Sequence, residues 1–451
     1  MTFIENLIGT VDAILWDYIL LFLLCGTGIF FTIKLKFVQV REFKESFKKT
    51  FGSIKLNGDK ADENGMSSFQ SLATAIAAQV GTGNLAGAAT ALLSGGPGAI
   101  FWMWVSAFFG MATIFVEASL AQKYKTTKDG TVIGGPVFYI KAAFKGTFGK
   151  VLATLFSIFI IVALGFTGNM VQSNSIGDAF NNAFGISPII VGVISAVIAG
   201  FIFLGGIKRI ASVTEKLVPL MAVLYIVGAL IIIIINFRNI PKAFYEIFVG
   251  AFNPKAVAGG IIGISIQKAM RYGVARGLFS NEAGMGSTPH AHALAKVEHP
   301  CDQGIFAMMG VFIDTFIILT LTALVILTTD VLNIGIAQGI EGVALTQLGF
   351  EAEFGKFGSI FIAICMFFFA FSTIIGWYFF GETNVKFLFG NKAVKIYALL
   401  VVCFVMLGSC LKVNLVWDLS DCFNGLIVIP NLLGLLALSK VASSLYNEWK
   451  K

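Results

Sequence analysis

The chain has 451 residues, of which 57% are hydrophobic, only 13% are charged and 45 are phenylalanine. Ordinary soluble domains are about 25% charged, so this composition excludes a soluble globular protein and indicates a polytopic membrane protein. The net charge of +7 does not indicate a nucleic-acid partner, because the Lys and Arg residues fall in short loops between apolar runs and therefore act as a topology signal.

The apolar runs predict an all-α fold with about eleven transmembrane helices, since about 20 residues of helix cross the hydrocarbon core of a bilayer. A first helix lies within residues 1–35, and an amphipathic segment within 36–65 follows it. A connection at 237–254 divides the rest, and a tail at 442–451 ends the chain. The predicted helices are 12–33, 66–95, 97–122, 149–173, 187–206, 214–236, 255–277, 303–328, 355–382, 393–411 and 421–441.

The second apolar run, 66–95, organises the rest of the chain because glycine and polar residues interrupt its middle. Those residues are Gln79, Val80, Gly81, Thr82, Gly83 and Asn84. An unpaired backbone group in hydrocarbon costs several kcal/mol, so a helix breaks at this depth only where it is packed in protein or lines a wet cavity. The half-helices would expose N–H groups and carbonyls, which can hold a carboxylate and a sodium ion. The alternative is a glycine-rich face for helix packing.

Between the first two helices, apolar residues recur every three or four positions among Lys and Arg residues. They are Val40, Phe43, Phe47, Phe51 and Ile54. This pattern predicts an amphipathic helix that lies on the cytoplasmic surface of the membrane.

The distribution of basic residues predicts the orientation. Lys and Arg residues also occupy the loops near 123–128, 208–216 and 386–395, whereas the loops 174–186 and 329–353 contain none. Because positively charged loops stay inside, we expect the N-terminus outside the cell and the C-terminus in the cytoplasm, with the protein in the plasma membrane.

Ten helices remain after the first, and they divide into two sets of five, 66–236 and 255–441. An odd number of helices inverts the second set relative to the first, so the helix 255–277 should mirror the broken one. A break at Gly263–Gln267, which includes Ser265, lies nearest the middle of this helix. A break at Gly273–Gly277 is the alternative, but it would place Lys268 and Arg271 deep in the membrane.

Two motifs resemble the alanine or glycine:cation symporter family. They are GTGNLAGAATALLSGGPGAIFWMWV at 81–105 and RGLFSNEAGMGSTPHAHA at 276–293. The helix layout extends the resemblance over the whole chain. The family implies a sodium-coupled uptake carrier for small neutral amino acids, with the inverted five-plus-five fold of the bacterial leucine transporter and one extra N-terminal helix. The last two helices of that longer carrier are absent here.

The resemblance also implies site residues. The residues Gly81 to Asn84 match a Gly-x-Gly-Asn break that touches the substrate carboxylate, and Gln79 adds polarity. For sodium, the resemblance implies the carbonyls of Ala77 and Val80 and the hydroxyls of Ser372 and Thr373. Bonding of those two hydroxyls to their own helix backbone is the alternative.

Five further residues complete the expected substrate contacts. Phe166 and Asn169 share a helix face with Ser173 by their spacing, so they face either a cavity or the packed core. Trp377 follows the paired hydroxyls by one turn, and Ser265 and Gln267 belong to the expected second break.

Other chemistry-bearing residues have competing interpretations. An intramembrane carboxylate such as Asp314 indicates function by default, but pairing with Lys268 or Arg271 is the simpler hypothesis. Glu117 lies near the cytoplasmic end of its helix and is expected either to extend toward the membrane surface or to pair with a loop. His290 and His292 are two residues apart, on different helix faces, and do not predict a metal site.

Together these observations predict a sodium:amino-acid symporter that works by alternating access. The expected substrate is L-alanine, with D-alanine or glycine as alternatives, and the expected coupling ion is Na⁺. A channel would require a ring of carbonyls or charges around an axis, and an enzyme would require a nucleophile–base pair or a metal constellation at depth. A proton-coupled carrier that uses Asp314 remains the main alternative.

Overall fold

Helices make up nearly all the regular structure of the computed structural model, which describes residues 9–52, 66–128, 131–254 and 265–451. Within these ranges the sheet structure is a two-stranded antiparallel hairpin of β1 (Thr126–Lys128) and β2 (Thr131–Ile133). The all-α class expected from composition is therefore confirmed.

Eleven helical segments precede residue 255. They are α1 (Gly9–Lys34), α2 (Val38–Arg41), α3 (Phe43–Gly52), α4 (Ser68–Gln79), α5 (83–95), α6 (Gly98–Lys123), α7 (Pro136–Ala143), α8 (Gly146–Phe184), α9 (Pro188–Phe203), α10 (Gly206–Ile235) and α11 (Ile240–Phe252).

Nine further segments follow residue 264. They are α12 (Ile266–Asn281), α13 (Pro289–Ala293), α14 (Pro300–Thr328), α15 (Val331–Gln338), α16 (Val343–Phe354), α17 (Lys356–Phe389), α18 (Asn391–Gly408), α19 (Val413–Ala437) and α20 (Ser439–Trp449).

The protein is a multi-pass membrane protein. In the described ranges, 8 helices are long and apolar enough to cross a bilayer, namely α1, α6, α8, α10, α14, α17, α18 and α19. The shorter α9 is also apolar, and side chains such as Ile190, Val197 and Phe201 are more than half exposed on it. Such a face is stable against lipid tails rather than water.

Helix α8 runs eleven residues beyond the predicted end at 173, because a polar stretch that resembles a loop is buried here. Within it, Asn174 donates Nδ2 hydrogen bonds to the carbonyls of Gly408 and Leu411 at 3.0 and 2.8 Å. The helix ends where Gly185 adopts φ +69°, a left-handed conformation that suits glycine after a helix.

The amphipathic segment forms the helices α2 and α3. The side chains of Val40, Phe47 and Phe51 are exposed, as an interfacial helix requires, whereas Ile54 lies outside the described residues. On the opposite face, the Ser46 hydroxyl donates to the Ile305 carbonyl at 2.5 Å and holds α3 against α14.

The first break forms where it was expected. Ser67 and Gln70 form a capping box at the start of α4, which satisfies two backbone groups at that end. Helix α4 ends at Gln79, Val80 is extended with φ −82° and ψ 91°, and α5 begins at Gly83.

The second break lies further along the chain than the predicted Gly263–Gln267. Ser265 caps α12, Gln267 lies in its first turn, and Gly263 is outside the described residues. Helix α12 continues through Gly273–Gly277 to Asn281, and the chain leaves helical geometry from 282 to 288 before α13 begins.

The charges of Lys268 and Arg271 explain why the break at 282–288 was not predicted. Lys268 is exposed, and the Arg271 guanidinium pairs with Asp12 and Asp17 of α1 at 2.8 and 3.2 Å. The charge of Arg271 made a later break look unfavourable from the sequence. It is compensated by two carboxylates of α1, which lie far away in sequence.

The two broken helices lie in the centre of the bundle. Helix α6 packs along both α12 and α14, while α4 lies against α10 and α17. Direct backbone contact brings the breaks together, since a Cβ atom placed on Gly83 would lie 2.8 Å from the Cα of Ser280.

Gly98, at the start of α6, packs directly on the backbone of α11, and a Cβ atom there would overlap the carbonyl group of Gly250. We expect Gly98→Ala to lower the free energy of unfolding by about 1–3 kcal/mol, because backbone cannot move aside as a flexible side chain can. A lowered melting temperature of the detergent-purified protein would show this. Gly26→Ala is the matched control, since Gly26 is exposed with no atom within 4 Å of the added methyl; an equal effect of both substitutions would contradict the prediction.

Candidate functional site

Asn84 closes the first break from within. Its Oδ1 accepts the N–H of Gly81 at 2.9 Å, and its Nδ2 donates to Asp314 on α14, at 2.7 Å to Oδ1 and 3.1 Å to the backbone carbonyl. The Asn84 side chain therefore accepts the Gly81 N–H, which has no acceptor within its own helix, and also connects the break to α14.

Two glutamines hold the break from either side. Gln172 of α8 accepts, at Oε1, the Thr82 N–H at 3.1 Å and the Thr82 hydroxyl at 2.6 Å. Gln79 donates Nε2 to the carbonyl of Asn281, the last residue of α12, at 2.8 Å. Gln79 thus links the first broken helix to the second.

The expected hydroxyl pair lies beside the first broken helix. The hydroxyls of Ser372 and Thr373 donate to the carbonyl of Ala77 at 3.3 and 2.9 Å, and both also reach the carbonyl of Phe369 in their own helix, at 2.8 and 3.1 Å. A Cβ atom on Gly81 would overlap Thr373 Oγ1. Three oxygen groups from two helices therefore converge next to the break, which is the chemistry that a hard cation such as Na⁺ prefers.

Asp314 joins the two broken helices and does not pair with the cations expected for it. Its carboxylate accepts hydrogen bonds from Asn84 Nδ2, from Ser280 of α12 at 2.8 Å and from the Thr315 hydroxyl at 2.7 Å. Within the described residues, no ion pair involves Asp314. A fully buried carboxylate is thus held by three uncharged donors, which compensate its desolvation only in part.

Glu117 accepts hydrogen bonds from the backbone of the second break. Its carboxylate accepts the N–H of Gly284 at 3.2 Å and of Gly286 at 3.0 Å, and Nδ2 of Asn431 at 2.5 Å. The same Asn431 amide donates to the Gly284 carbonyl at 2.9 Å. Glu117 is fully buried, so it does not extend toward the membrane surface. It pairs instead with the unwound segment 282–288, as the loop-paired alternative expected, because the unwound N–H groups turn toward α6.

Glu282 begins the second break, with a left-handed φ of +58°. Its buried carboxylate accepts one hydrogen bond at each oxygen, from the Trp377 indole N–H and from the Ser287 hydroxyl. Trp377 in turn packs edge-on to Phe279, with ring centroids 5.6 Å apart, and fills the space beside Gly168. The expected aromatic residue of α17 therefore contacts the second break.

Several expected residues are not brought to this centre. Ser265 and Gln267 are exposed at the far end of α12, because the break lies at the opposite end of that helix. Phe166 stacks on Phe404, at 4.6 Å between centroids, and also contacts Tyr397, so its ring belongs to the packing of α8 against α18.

Other expected residues on α8 are buried beside the breaks. Asn169 donates to the Gly165 carbonyl at 3.2 Å. Buried polar atoms on this face have no hydrogen-bond partner within the described chain, namely Asn169 Oδ1, Gln172 Nε2 and Ser173 Oγ. Unpartnered buried polar atoms are costly, and grouped beside a helix break they indicate a place where a polar ligand binds.

The sequence did carry one signal for the second break. Gly284-Met285-Gly286 repeats the Gly-x-Gly spacing of the first break, within the 276–293 motif. Both of these glycines have positive φ, +100° and +76°, which β-carbon-bearing residues rarely adopt. Glu282, Gln172 and Glu117 offered no comparable local pattern.

The family model described as the sodium:alanine symporter family matches residues 1–451 of this chain. The sodium/alanine symporter AgcS of Methanococcus maripaludis is 42% identical over 99% of this chain and 98% of its own. The amino-acid carrier protein AlsT of Bacillus subtilis is 41% identical over 100% and 93%. The probable sodium/glutamine symporter GlnT of the same organism is 40% identical over 99% and 91%.

Solved structures with the same fold are much more distant in sequence. MhsT in complex with L-phenylalanine aligns with a TM-score of 0.60 at 14% identity, over 86% of this chain and 98% of its own. A Na⁺-coupled sialic acid symporter aligns with a TM-score of 0.54 at 13% identity, over 89% and 82%. These likenesses confirm the expected leucine-transporter-like fold.

The Asn84–Asp314 contact leads to a stability prediction. Asn84→Leu keeps the volume but removes the donor to Asp314 and the acceptor for Gly81 N–H, so we expect the free energy of unfolding to fall by roughly 1–3 kcal/mol. The measurement is the melting temperature in detergent. Asn414→Leu is the control, because Asn414 forms the same kind of contact with Glu341 at an exposed site. Equal melting temperatures for Asn84→Leu and the unchanged protein would contradict the assignment.

Proposed function

The chain belongs to the sodium:alanine symporter family, and we propose that it couples the uptake of alanine or glycine to the inward movement of Na⁺. The protein is a membrane transporter and not an enzyme. Uptake proceeds by alternating access, in which the site between the two broken helices opens to one side of the membrane at a time.

One observation carries the proposal: the hydroxyls of Ser372 and Thr373 meet the carbonyl of Ala77 where α4 ends. With the carbonyl of Val80, the next expected ligand, this set contains only uncharged oxygens. Such a site binds Na⁺ weakly and reversibly, which suits a carrier that releases its ion in every cycle. No carboxylate is required in this set.

The proposed substrate site is the first break together with its neighbours. The break contributes Gln79 and the residues 81–84, and Asn169 of α8 and Trp377 of α17 flank it. We propose that the substrate carboxylate binds at the N-terminus of α5, where the helix dipole is positive, since the N–H groups of Gly81 and Thr82 are already accepted by Asn84 and Gln172.

Close packing around the break favours a short side chain. Gly168 lies directly against the Trp377 ring, and Gly81 against the Thr373 hydroxyl, so little room remains between these elements for more than a methyl group. Orientation with the N-terminus outside and the C-terminus in the cytoplasm remains part of the proposal, on the evidence of the basic loops.

The direct test is uptake of labelled alanine into proteoliposomes with and without an inward Na⁺ gradient. We expect accumulation that depends on Na⁺ and disappears when an ionophore collapses the Na⁺ gradient. Accumulation that persists without Na⁺ would contradict the proposal.

Proton coupling through Asp314 is the second candidate, because this buried carboxylate contacts both broken helices and is held by neutral donors. It predicts uptake that follows an inward pH gradient in the absence of Na⁺, and loss of that uptake in Asp314→Asn. Uptake that follows Na⁺ at constant pH selects the sodium mechanism.

The ion site leads to a specific mutational prediction. Thr373→Val is nearly isosteric but lacks the hydroxyl, so we expect the Na⁺ concentration for half-maximal alanine uptake to rise about 2- to 10-fold, with little change in alanine affinity at saturating Na⁺. Thr383→Val on the same helix is the control, since the Thr383 hydroxyl donates to its own helix at Phe379. An unchanged Na⁺ dependence of Thr373→Val would move the ion elsewhere.

Substrate size leads to a competition prediction. Unlabelled glycine and alanine should inhibit labelled alanine uptake at concentrations at least about tenfold lower than leucine or phenylalanine, because larger side chains would have to displace Trp377. Glutamine should also compete poorly. Strong inhibition by glutamine would instead indicate a specificity like the one for which its relative GlnT, a probable sodium/glutamine symporter, is named.

A further inference from the structure

We propose that the carboxylate of Glu282 binds the ammonium group of the amino-acid substrate, so that the second break holds one end of the zwitterion while the first break holds the other. This inference rests on the proposed function and names the residue that selects for the amino group.

The first step of the argument is charge. Three carboxylates, those of Glu117, Glu282 and Asp314, are fully buried around the breaks, and none of them takes part in an ion pair with another described residue. Burying a carboxylate without a cation is strongly unfavourable. A substrate that brings a positive charge into this centre would offset that cost.

The second step is hydrogen-bonding capacity, which distinguishes Glu282 from the other two. Two carboxylate oxygens together offer about four acceptor positions. Glu117 accepts three hydrogen bonds, two of them from backbone N–H groups, and Asp314 also accepts three. Glu282 accepts two, one at each oxygen. It therefore retains the most capacity for an ammonium group, which carries three donors.

The third step is position. Gly83 of the first break touches Ser280, two residues before Glu282, so the breaks are close enough for one small molecule to contact both. Trp377, which donates to Glu282, lies one helical turn after Thr373, about 6 Å along the axis of α17. Glu282 is thus beside the proposed substrate site and not at the periphery of the bundle.

The fourth step is the polarity of the two breaks. In the second break the N–H groups of Gly284 and Gly286 are already taken by Glu117, and a substrate carboxylate there would also meet the like charge of Glu282. At the first break, the start of α5 instead offers the positive end of a helix dipole. A zwitterion therefore binds with its carboxylate toward the first break and its ammonium toward the second.

The test compares L-alanine with L-lactate, which has a hydroxyl in place of the ammonium group. Binding of each is measured by displacement of labelled alanine from purified protein in saturating Na⁺. The wild-type protein should prefer alanine strongly. In Glu282→Gln, alanine affinity should fall about tenfold or more, and the alanine-to-lactate preference should shrink by a similar factor.

Glu282→Gln is suited to this purpose because the amide oxygen can still accept from Trp377, and the Ser287 hydroxyl can accept from the amide. We therefore expect its melting temperature to stay near that of the wild-type protein. Glu117→Gln is the matched control: it removes another buried carboxylate, and any loss of affinity should leave the alanine-to-lactate preference unchanged.

Two results would overturn the inference. One is a wild-type alanine-to-lactate preference retained in Glu282→Gln; the other is equal binding of alanine and lactate by the wild-type protein, which requires no variant to fold. Either result leaves the proposed function standing if wild-type alanine uptake depends on Na⁺. The proposed function fails separately, if the wild-type protein shows no Na⁺-dependent alanine uptake.

Discussion

The structure depends on one constraint: inside a membrane, a backbone group that leaves a helix must find its partner within the protein. Both broken helices meet this constraint with side chains. Asn84 and Gln172 accept the N–H groups of Gly81 and Thr82, while Glu117 and Asn431 bond the unwound backbone of the second break. These partners come from four different helices, so the rest of the bundle holds each break in its unwound form. A ligand therefore meets a preformed site and does not have to unwind a helix.

The same contacts make the two breaks interdependent. Gln79 reaches from the end of α4 to the end of α12, and Asp314 receives hydrogen bonds from Asn84 on one side and Ser280 on the other. A displacement of one broken helix must therefore carry the other with it or exchange these hydrogen bonds. Coupling between ligands needs an element with two arrangements, and the paired breaks are well connected to serve as that element.

The first break was predictable because its signal is local: glycine and polar residues interrupt an apolar run that has no other reason to contain them. The resemblance to the leucine-transporter fold implied that Ser372 and Thr373 lie beside the first broken helix, and both hydroxyls contact the carbonyl of Ala77. The expected resemblance to the leucine-transporter fold followed from motifs in two separated regions.

The break at 282–288 was not predicted because the cost of a charge depends on partners that the sequence does not place. Arg276 lies in α12 and would exclude that stretch from a membrane if it were alone, yet Asp421 of α19 pairs with both of its terminal nitrogens at 2.7 Å. The ring of Trp417 covers the guanidinium at 4.4 Å. For the same reason the partners of Glu117 could not be identified from the sequence. They are backbone groups that become available only because the chain unwinds nearly 170 residues later.

Helix α17 offers a physical route by which ion and substrate affect one another. It carries Thr373, which meets Ala77 of the first broken helix, and one turn later Trp377, which meets Glu282 of the second. At the proposed sites, an ion bound at Thr373 would fix α17 against α4, and a substrate bound at Glu282 would fix the acceptor that orients Trp377. Each ligand thus favours the same position of one rigid helix, so each should tighten the binding of the other by the same factor without direct contact between them. The reciprocity also explains why a weak ion site is sufficient: the substrate contributes to holding the ion, and releasing either one loosens both.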